Sequence, residues 1–280
     1  MTARSAFATA RLAARPIHAF VGRSYSLTLR YWAWEVTYLL YSIALVLSIG
    51  FLAVGVGQVS GRSVPTEKVL VYLLTGSLLW QFLAQLFWET SNVMTFERWE
   101  GTLEYTLMAP VSRVVHLLGM SAFSAIYAAL RLILLVGVCL LMFKLDLQHA
   151  NIWSAALILG ISSFSLVGLG LMAASLPLVY TEKGTQMTSV IEAVLLMISG
   201  VYYPIDVLPH WLRFFSQFSP MTYTLHGMRA AILEGAGVRQ LWGDLLPLVA
   251  TAVILVPLGL RVFGCTEAYC KRHGKLKRSG

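Results

Sequence analysis

Residues 96–113, FERWEGTLEYTLMAPVSR, break two long apolar runs with a dense and patterned set of charges. Glu97, Glu100 and Glu104 are spaced three and four residues apart, and in a helix that spacing puts all three carboxylates on one face. Gly101 sits among them, and Pro110 marks the end of the segment because proline cannot continue a helix. A patterned charged patch between two membrane-length runs predicts a surface that docks onto something outside the lipid.

The composition around this stretch is that of a membrane protein. The chain has 280 residues, 58% of them hydrophobic and 12% charged, whereas soluble domains carry about 25% charged residues. Several apolar runs are near 20 residues, the length that crosses a bilayer. The net charge of +8 in a soluble protein would point to nucleic acid. Here the basic residues gather toward the two ends, which suits an anionic cytoplasmic leaflet and excludes nucleic acid as the partner. Three cysteines imply no disulfide framework. The Cys265, Cys270 and His273 spacing is a weak metal pattern, and no metal site is expected. The N-terminus lacks the short apolar core and cleavage site of a signal peptide.

Taken in order, residues 1–35 form an N-terminal segment, loosely ordered to residue 16. An interfacial helix is expected over 17–34, with Ile17, Phe20, Val21, Leu27 and Tyr31 opposite Arg23 and Arg30. A six-helix transmembrane domain then occupies 36–263. Its spans are expected at 36–57, 69–92, 114–143, 152–179, 189–203 and 244–263. A basic tail, 264–280, follows. The second span carries Gln81, Gln85, Glu89 and Asn92 within about 80° of one another. Such a stripe faces protein or water: it lines a transport path or a dimer seam, or it glues helices within one bundle. Arg131 lies near the middle of the third span, where an unpaired charge is costly. By depth Gln81 and Gln85 are its nearest polar company. Glu89 and Glu192 lie closer to the cytoplasmic side and reach it only through a tilt. Ser121, Ala125 and Ala129 make a small-residue row suited to close helix packing. Between spans five and six, Pro204, Pro209 and Pro220 cut residues 199–235 into pieces too short to cross, rich in aromatics that include Tyr202, Tyr203, Trp211 and Tyr223. They read as half-helices that enter the outer leaflet and return.

Six spans put both termini on one side. That side holds thirteen basic residues: Arg4, Arg11, Arg15, Arg23, Arg30, Arg98, Arg113, Lys183, Lys271, Arg272, Lys275, Lys277 and Arg278. The other holds six: Arg62, Lys68, Lys144, Arg213, Arg229 and Arg239. The richer side is cytoplasmic, which places residues 96–113 inside the cell and the proline-broken hairpin outside.

Sequences for common chemistries are missing. No GxxxxGK[ST] loop occurs, so this chain holds no P-loop nucleotide site, and neither HExxH nor GxSxG is present. Asp206 and Glu234 are an imaginable carboxylate pair for an intramembrane enzyme. Arg131, Glu89 and Glu192 are the groups an ATP-independent channel or carrier would use.

Two segments resemble a known family. Trp99–Ser112, WEGTLEYTLMAPVS, is similar to the E-G-T-L-E…P-[IV]-S segment of ABC-2 type exporter permeases. Ser199–Gly235, with SGVYYPIDVLPHWL, SPMTY and GMRAAILEG, resembles the second conserved region of that family. The resemblance implies an all-α permease with six transmembrane helices, an N-terminal cytoplasmic amphipathic helix and a re-entrant hairpin. It implies no enzyme activity in this chain. Instead it implies two copies of a separate ABC ATPase subunit that bind ATP and Mg, a second permease copy as homodimer partner or a close relative in its place, and a bacterial cytoplasmic (inner) membrane location. Carried onto this sequence, the coupling segment is Phe96–Pro110, with Phe96, Glu97, Arg98, Glu100, Gly101, Thr102, Leu103, Glu104 and Pro110. The outer gate is Tyr202, Tyr203, Pro204, Pro209, Trp211, Pro220 and Tyr223. The substrate implied is an amphipathic drug, a lipid or a lipid-linked glycan.

Overall fold

The described residues fold into twelve α-helices and a single 3-10 turn, with no strand among them. The computed structural model describes residues 3–59, 66–109, 111–143 and 150–274, and their side chains except those of 3–16, 58, 59, 66 and 107. Pro110, the turn with Gly61 and Pro65, Lys144 and the last six residues therefore lie outside the described residues.

Five helices are long and apolar enough to cross a membrane: Trp32–Gly57, Glu67–Ser91, Arg113–Phe143, Ile152–Val179 and Trp242–Arg272. They belong to α2 (Trp32–Val59), α3 (Thr66–Ser91), α6 (Arg113–Phe143), α7 (Ile152–Ala173) continued by α8 (Ser175–Val179), and α12 (Trp242–Arg272). This makes the chain a multi-pass membrane protein. The run expected as the fifth span is α9 (Gly184–Ile198), which starts and stops about five residues earlier than the sequence suggests. Its 15 residues reach only about 22 Å at 1.5 Å per residue, short of the ~30 Å hydrocarbon core. It ends where Gly200 takes a φ of +70°, a conformation glycine adopts without steric cost.

α3 is the central helix. In its most apolar stretch 61% of residues are buried, against 17–22% in α2, α6 and α12. It packs against α2, α6, α7 and α9, with Leu74, Leu79, Leu83, Leu86 and Phe87 fully enclosed. α7 and α12 pack backbone to backbone. A Cβ on Gly168 would stand 2.5 Å from the Leu255 carbonyl carbon, and one on Gly259 2.5 Å from the Gly168 oxygen. Ser165 donates to the Leu248 carbonyl across the same seam (3.0 Å). Of the small-residue row on α6, Ser121 is buried and Ala125 and Ala129 are half-buried.

Both ends of the chain depart from expectation. α1 (Ala3–Arg30) is helical from residue 3 rather than loosely ordered to 16, and it breaks at Tyr31, so Trp32 and Trp34 begin α2. α12 continues nine residues past the expected end of its span. Two contacts hold that extension: Glu267 pairs with Arg113, and Cys270 is fully buried against the Leu178 carbonyl. Residues 264–272 are thus part of the helical body rather than a free tail.

Candidate functional site

The segment 96–113 is not one helix. α4 (Val93–Trp99) and α5 (Leu103–Met108) are separated by a turn at Gly101. The Gly101 N–H donates to the Arg98 carbonyl (3.1 Å) and the Thr102 N–H to the Glu97 carbonyl (2.9 Å). With Gly101 at φ +70° this is a Schellman cap. The three carboxylates consequently do not share a face. Glu97 turns inward and is 1% exposed, Glu100 accepts from the Tyr31 hydroxyl (3.0 Å), and Glu104 is exposed.

Glu97 joins four helices. Its Oε1 accepts from Arg23 Nη1 of α1 (3.0 Å), from the Thr106 hydroxyl of α5 (3.3 Å), and lies 2.9 Å from His116 Nε2 of α6. Arg23 also donates to the Thr102 hydroxyl (2.7 Å). Phe20 packs on the His116 ring with centroids 4.7 Å apart. A buried carboxylate is tolerated only when paired and hydrogen-bonded, and here the partners come from α1, α5 and α6 together. Arg98 reaches the other way, donating to the Pro177 carbonyl of α8 (3.0 Å); burial pushes its guanidinium below its ordinary value, with the neighbouring Cys270 acting in the opposite sense. Arg113 links the Thr106 carbonyl (2.7 Å) to Glu267 (2.9 Å), which also accepts from Lys271 (2.7 Å). Phe96 and Leu103 face the interior, Phe96 edge-on to Trp88 at 5.3 Å. What the segment presents outward is Trp99, Tyr105 and Met108, at 83%, 74% and 75% exposure, together with Glu104.

Within the spans, Arg131 is buried and solvated by neutral groups. It donates to Gln85 Oε1 (2.8 Å), the Ser42 hydroxyl (2.7 Å) and the Tyr38 carbonyl (2.5 Å). Gln85 passes the contact on, its Nε2 donating to Glu89 (2.9 Å). Ser42 donates to Gln81 (3.3 Å). The Tyr127 hydroxyl donates to Glu35. Of the six polar residues singled out in the spans, the structure gathers Gln81, Gln85, Glu89 and Arg131 between α2, α3 and α6, and buries Asn92 just past the end of α3, where it donates to the Trp88 carbonyl (3.0 Å). Glu192 stands apart on α9.

At the opposite end lie the 3-10 turn (Ile205–Val207), α10 (His210–Ser216) and α11 (Pro220–Leu233). Pro204 and Pro209 precede the first two, and Pro220 opens α11, where its missing N–H costs nothing. Arg229 of α11 caps the end of α9, donating to the Gly200 (3.0 Å) and Val201 (2.6 Å) carbonyls while its guanidinium lies 3.7 Å over the Tyr72 ring of α3. Gly76 makes room for this, since a Cβ there would stand 2.2 Å from the Val201 oxygen. Ser199 and Ser219 hydrogen-bond across the same junction (3.2 Å). Tyr203 and Tyr223 cap local carbonyls of Met197 and Gln217, and Tyr202 is half-buried. Trp211, Phe214, Phe215 and Phe218 are exposed. Asp206 pairs with Arg213.

Sequence reasoning missed Arg23, His116, Thr106 and Arg229 as structural partners, and Trp99, Tyr105 and Met108 as the outward face. A buried Glu97 needs a cation, but the sequence does not say which: Arg98 and Arg113 are nearer along the chain than Arg23, which is 74 positions away.

Comparison with known proteins adds two findings. A family model described as ABC-2 type transporter matches residues 15–233. A stretch of 109 residues is 32% identical to the linearmycin resistance permease protein LnrN of Bacillus subtilis (strain 168). That stretch is 38% of this chain and 28% of the relative, so the match covers little more than a quarter of the relative's length.

Proposed function

The chain belongs to the ABC-2 type transporter family, and on that premise we propose that it is the membrane-spanning subunit of an ATP-driven exporter, working as a dimer and driven by a separate ABC ATPase. α9 serves as the fifth of six spans, both termini lie in the cytoplasm, and the protein resides in the bacterial inner membrane. ATP and Mg bind to the partner. The observation that carries the reading is the face formed by α4 and α5. Trp99, Tyr105 and Met108 stand exposed beside Glu104, on a helix pair braced from behind by the Glu97 ion pairs. Exposed aromatic anchors on a rigid support are what a docking interface needs. Closure of the ATPase dimer would push on this face, and the Glu97 cluster would pass the displacement to α1 and α6 as a rigid-body shift.

α1 supports the reading as an interfacial brace beside α6. The region 199–235 supports a re-entrant outer gate: Gly76, which contacts its start, lies ten residues into α3, about 15 Å along the helix axis, and α10 is too short to cross. The substrate we infer is hydrophobic or amphipathic, and a relative named as a resistance permease supports a drug-like or lipid-like cargo. Reconstitution tests the proposal. Vesicles holding the permease and its ATPase should expel an amphipathic dye only with ATP, and vesicles holding the permease alone should not. Equal efflux without ATPase would mean a channel or carrier instead.

A further inference from the structure

Glu192 is eight residues into α9, about 12 Å along its axis. It is half-buried, and its carboxylate takes no hydrogen bond or ion pair among the described residues. Three other carboxylates on the long helices are engaged, Glu35 by Tyr127, Glu89 by Gln85, and Glu267 by Arg113 and Lys271, while Glu67 is exposed at the very start of α3. Arg131, the buried cation of the spans, is committed to Gln85, Ser42 and the Tyr38 carbonyl, so it is not a counter-charge for Glu192.

The surroundings of Glu192 on its own helix are patterned. Thr185, Ser189 and Glu192 are spaced four and three residues apart and fall within about 60° of one another. Ser189 is exposed, and Thr185 and Glu192 are half-buried. The opposite side of α9 carries Met187, Val190, Val194 and Met197, all exposed and suited to lipid. α9 thus has an apolar side and a polar side, and the helices of this protomer leave the polar side partly open. A carboxylate at that depth, neither sealed away nor paired, calls for a positive partner from outside the chain.

We propose that Glu192 is a substrate-contact residue that recognises the cationic group of an amphipathic substrate, an amine or other lipophilic cation. This rests on the transport reading above and names its substrate class. In a low-dielectric setting a carboxylate attracts a poorly hydrated organic cation strongly, while the half-buried Ile191 and Leu196 beside it offer the apolar body a surface. A neutral or anionic amphiphile of the same size gains nothing from the charge.

The test is equilibrium binding of tetraphenylphosphonium to the purified permease in nanodiscs, alongside the uncharged triphenylphosphine oxide. Glu192→Gln keeps shape and removes charge. The expected result is a loss of tetraphenylphosphonium affinity of about tenfold or more, with the neutral probe unchanged and Glu192→Asp restoring part of the difference. Unchanged cation binding in Glu192→Gln overturns the proposal, as does an equal loss for both probes. A shift of oligomeric state without a change in cation binding also overturns it, and assigns Glu192 to contact between copies. If neither probe binds the wild type, this inference fails by itself; if the reconstituted permease and ATPase also show no ATP-dependent efflux of the amphipathic dye, the transport reading fails and takes this inference with it.

Discussion

Glu97 and Glu100 are three residues apart and look alike in the sequence, yet the structure gives them opposite roles. Glu97 is enclosed with Arg23 and His116, while Glu100 meets only the Tyr31 hydroxyl at the surface. Removing one partner of a fully buried ion pair typically costs about 3–5 kcal/mol; Arg23 is 28% exposed, so the loss here falls at or below the lower end of that range. Glu97→Ala should therefore lower the melting temperature of the purified permease markedly, whereas Glu100→Ala, a surface change, should cost within about 0.5 kcal/mol. Thermal unfolding in one detergent compares the two directly, and equal effects would contradict the buried-hub assignment. Arg131 offers a second residue-scale check. Its partners are neutral, so Gln85→Leu should destabilise the protein by about 1–3 kcal/mol through the guanidinium donor it strands, a loss that the same melting assay measures.

At the scale of elements, Gly101 and Gly200, both at φ +70°, follow the ends of α4 and α9. Gly101 ends α4 in a left-handed conformation, and an L-residue with a Cβ, such as alanine, costs roughly 1–2 kcal/mol there. Gly101→Ala should weaken ATPase attachment in co-purification more than it weakens the isolated permease, because the turn aims Trp99 and Tyr105. Gly76 and Arg229 hold the start of the proline-broken region 199–235 to α3. Arg229→Met removes the cap on the Gly200 and Val201 carbonyls and the stacking on Tyr72, so limited proteolysis between residues 200 and 220 should speed up severalfold while the α4–α5 end stays resistant. These elements also mark what could be read from the sequence. Span positions for α2, α3, α6 and α7 follow from apolar run length alone, and the prolines at 204, 209 and 220 announce short pieces. The split of 96–113 was not legible from carboxylate spacing, because that spacing assumes a continuous helix and Gly101 interrupts it. The extension of α12 was hidden for another reason. Its residues form no apolar run, and the pairing of Glu267 with Arg113, 154 positions away, together with the burial of Cys270 against the Leu178 carbonyl, makes them part of the body.

For the whole molecule, two charged layers lie apart from each other, besides the Asp206–Arg213 pair and Arg229 in the proline-broken region. One layer joins α1, α4, α5, α6, α8 and the end of α12 through Glu97, Arg98, Arg113 and Glu267. The other joins α2, α3 and α6 around Arg131. α6 belongs to both, so a push on α4 and α5 would reach the Arg131 layer through it, as it would reach α12 through Glu267 and α8 through Arg98. On the proposed reading a partner ATPase is the engine, and the exposed Trp99, Tyr105 and Met108 would be its contact. The most direct measurement is photo-crosslinking in cells that carry the permease and its ATPase, with benzoylphenylalanine placed at Tyr105 or, at the opposite end, at Trp211. The account predicts an ATPase adduct from Tyr105 and none from Trp211. An adduct from Trp211 alone, or active export with no adduct from Tyr105, would contradict it.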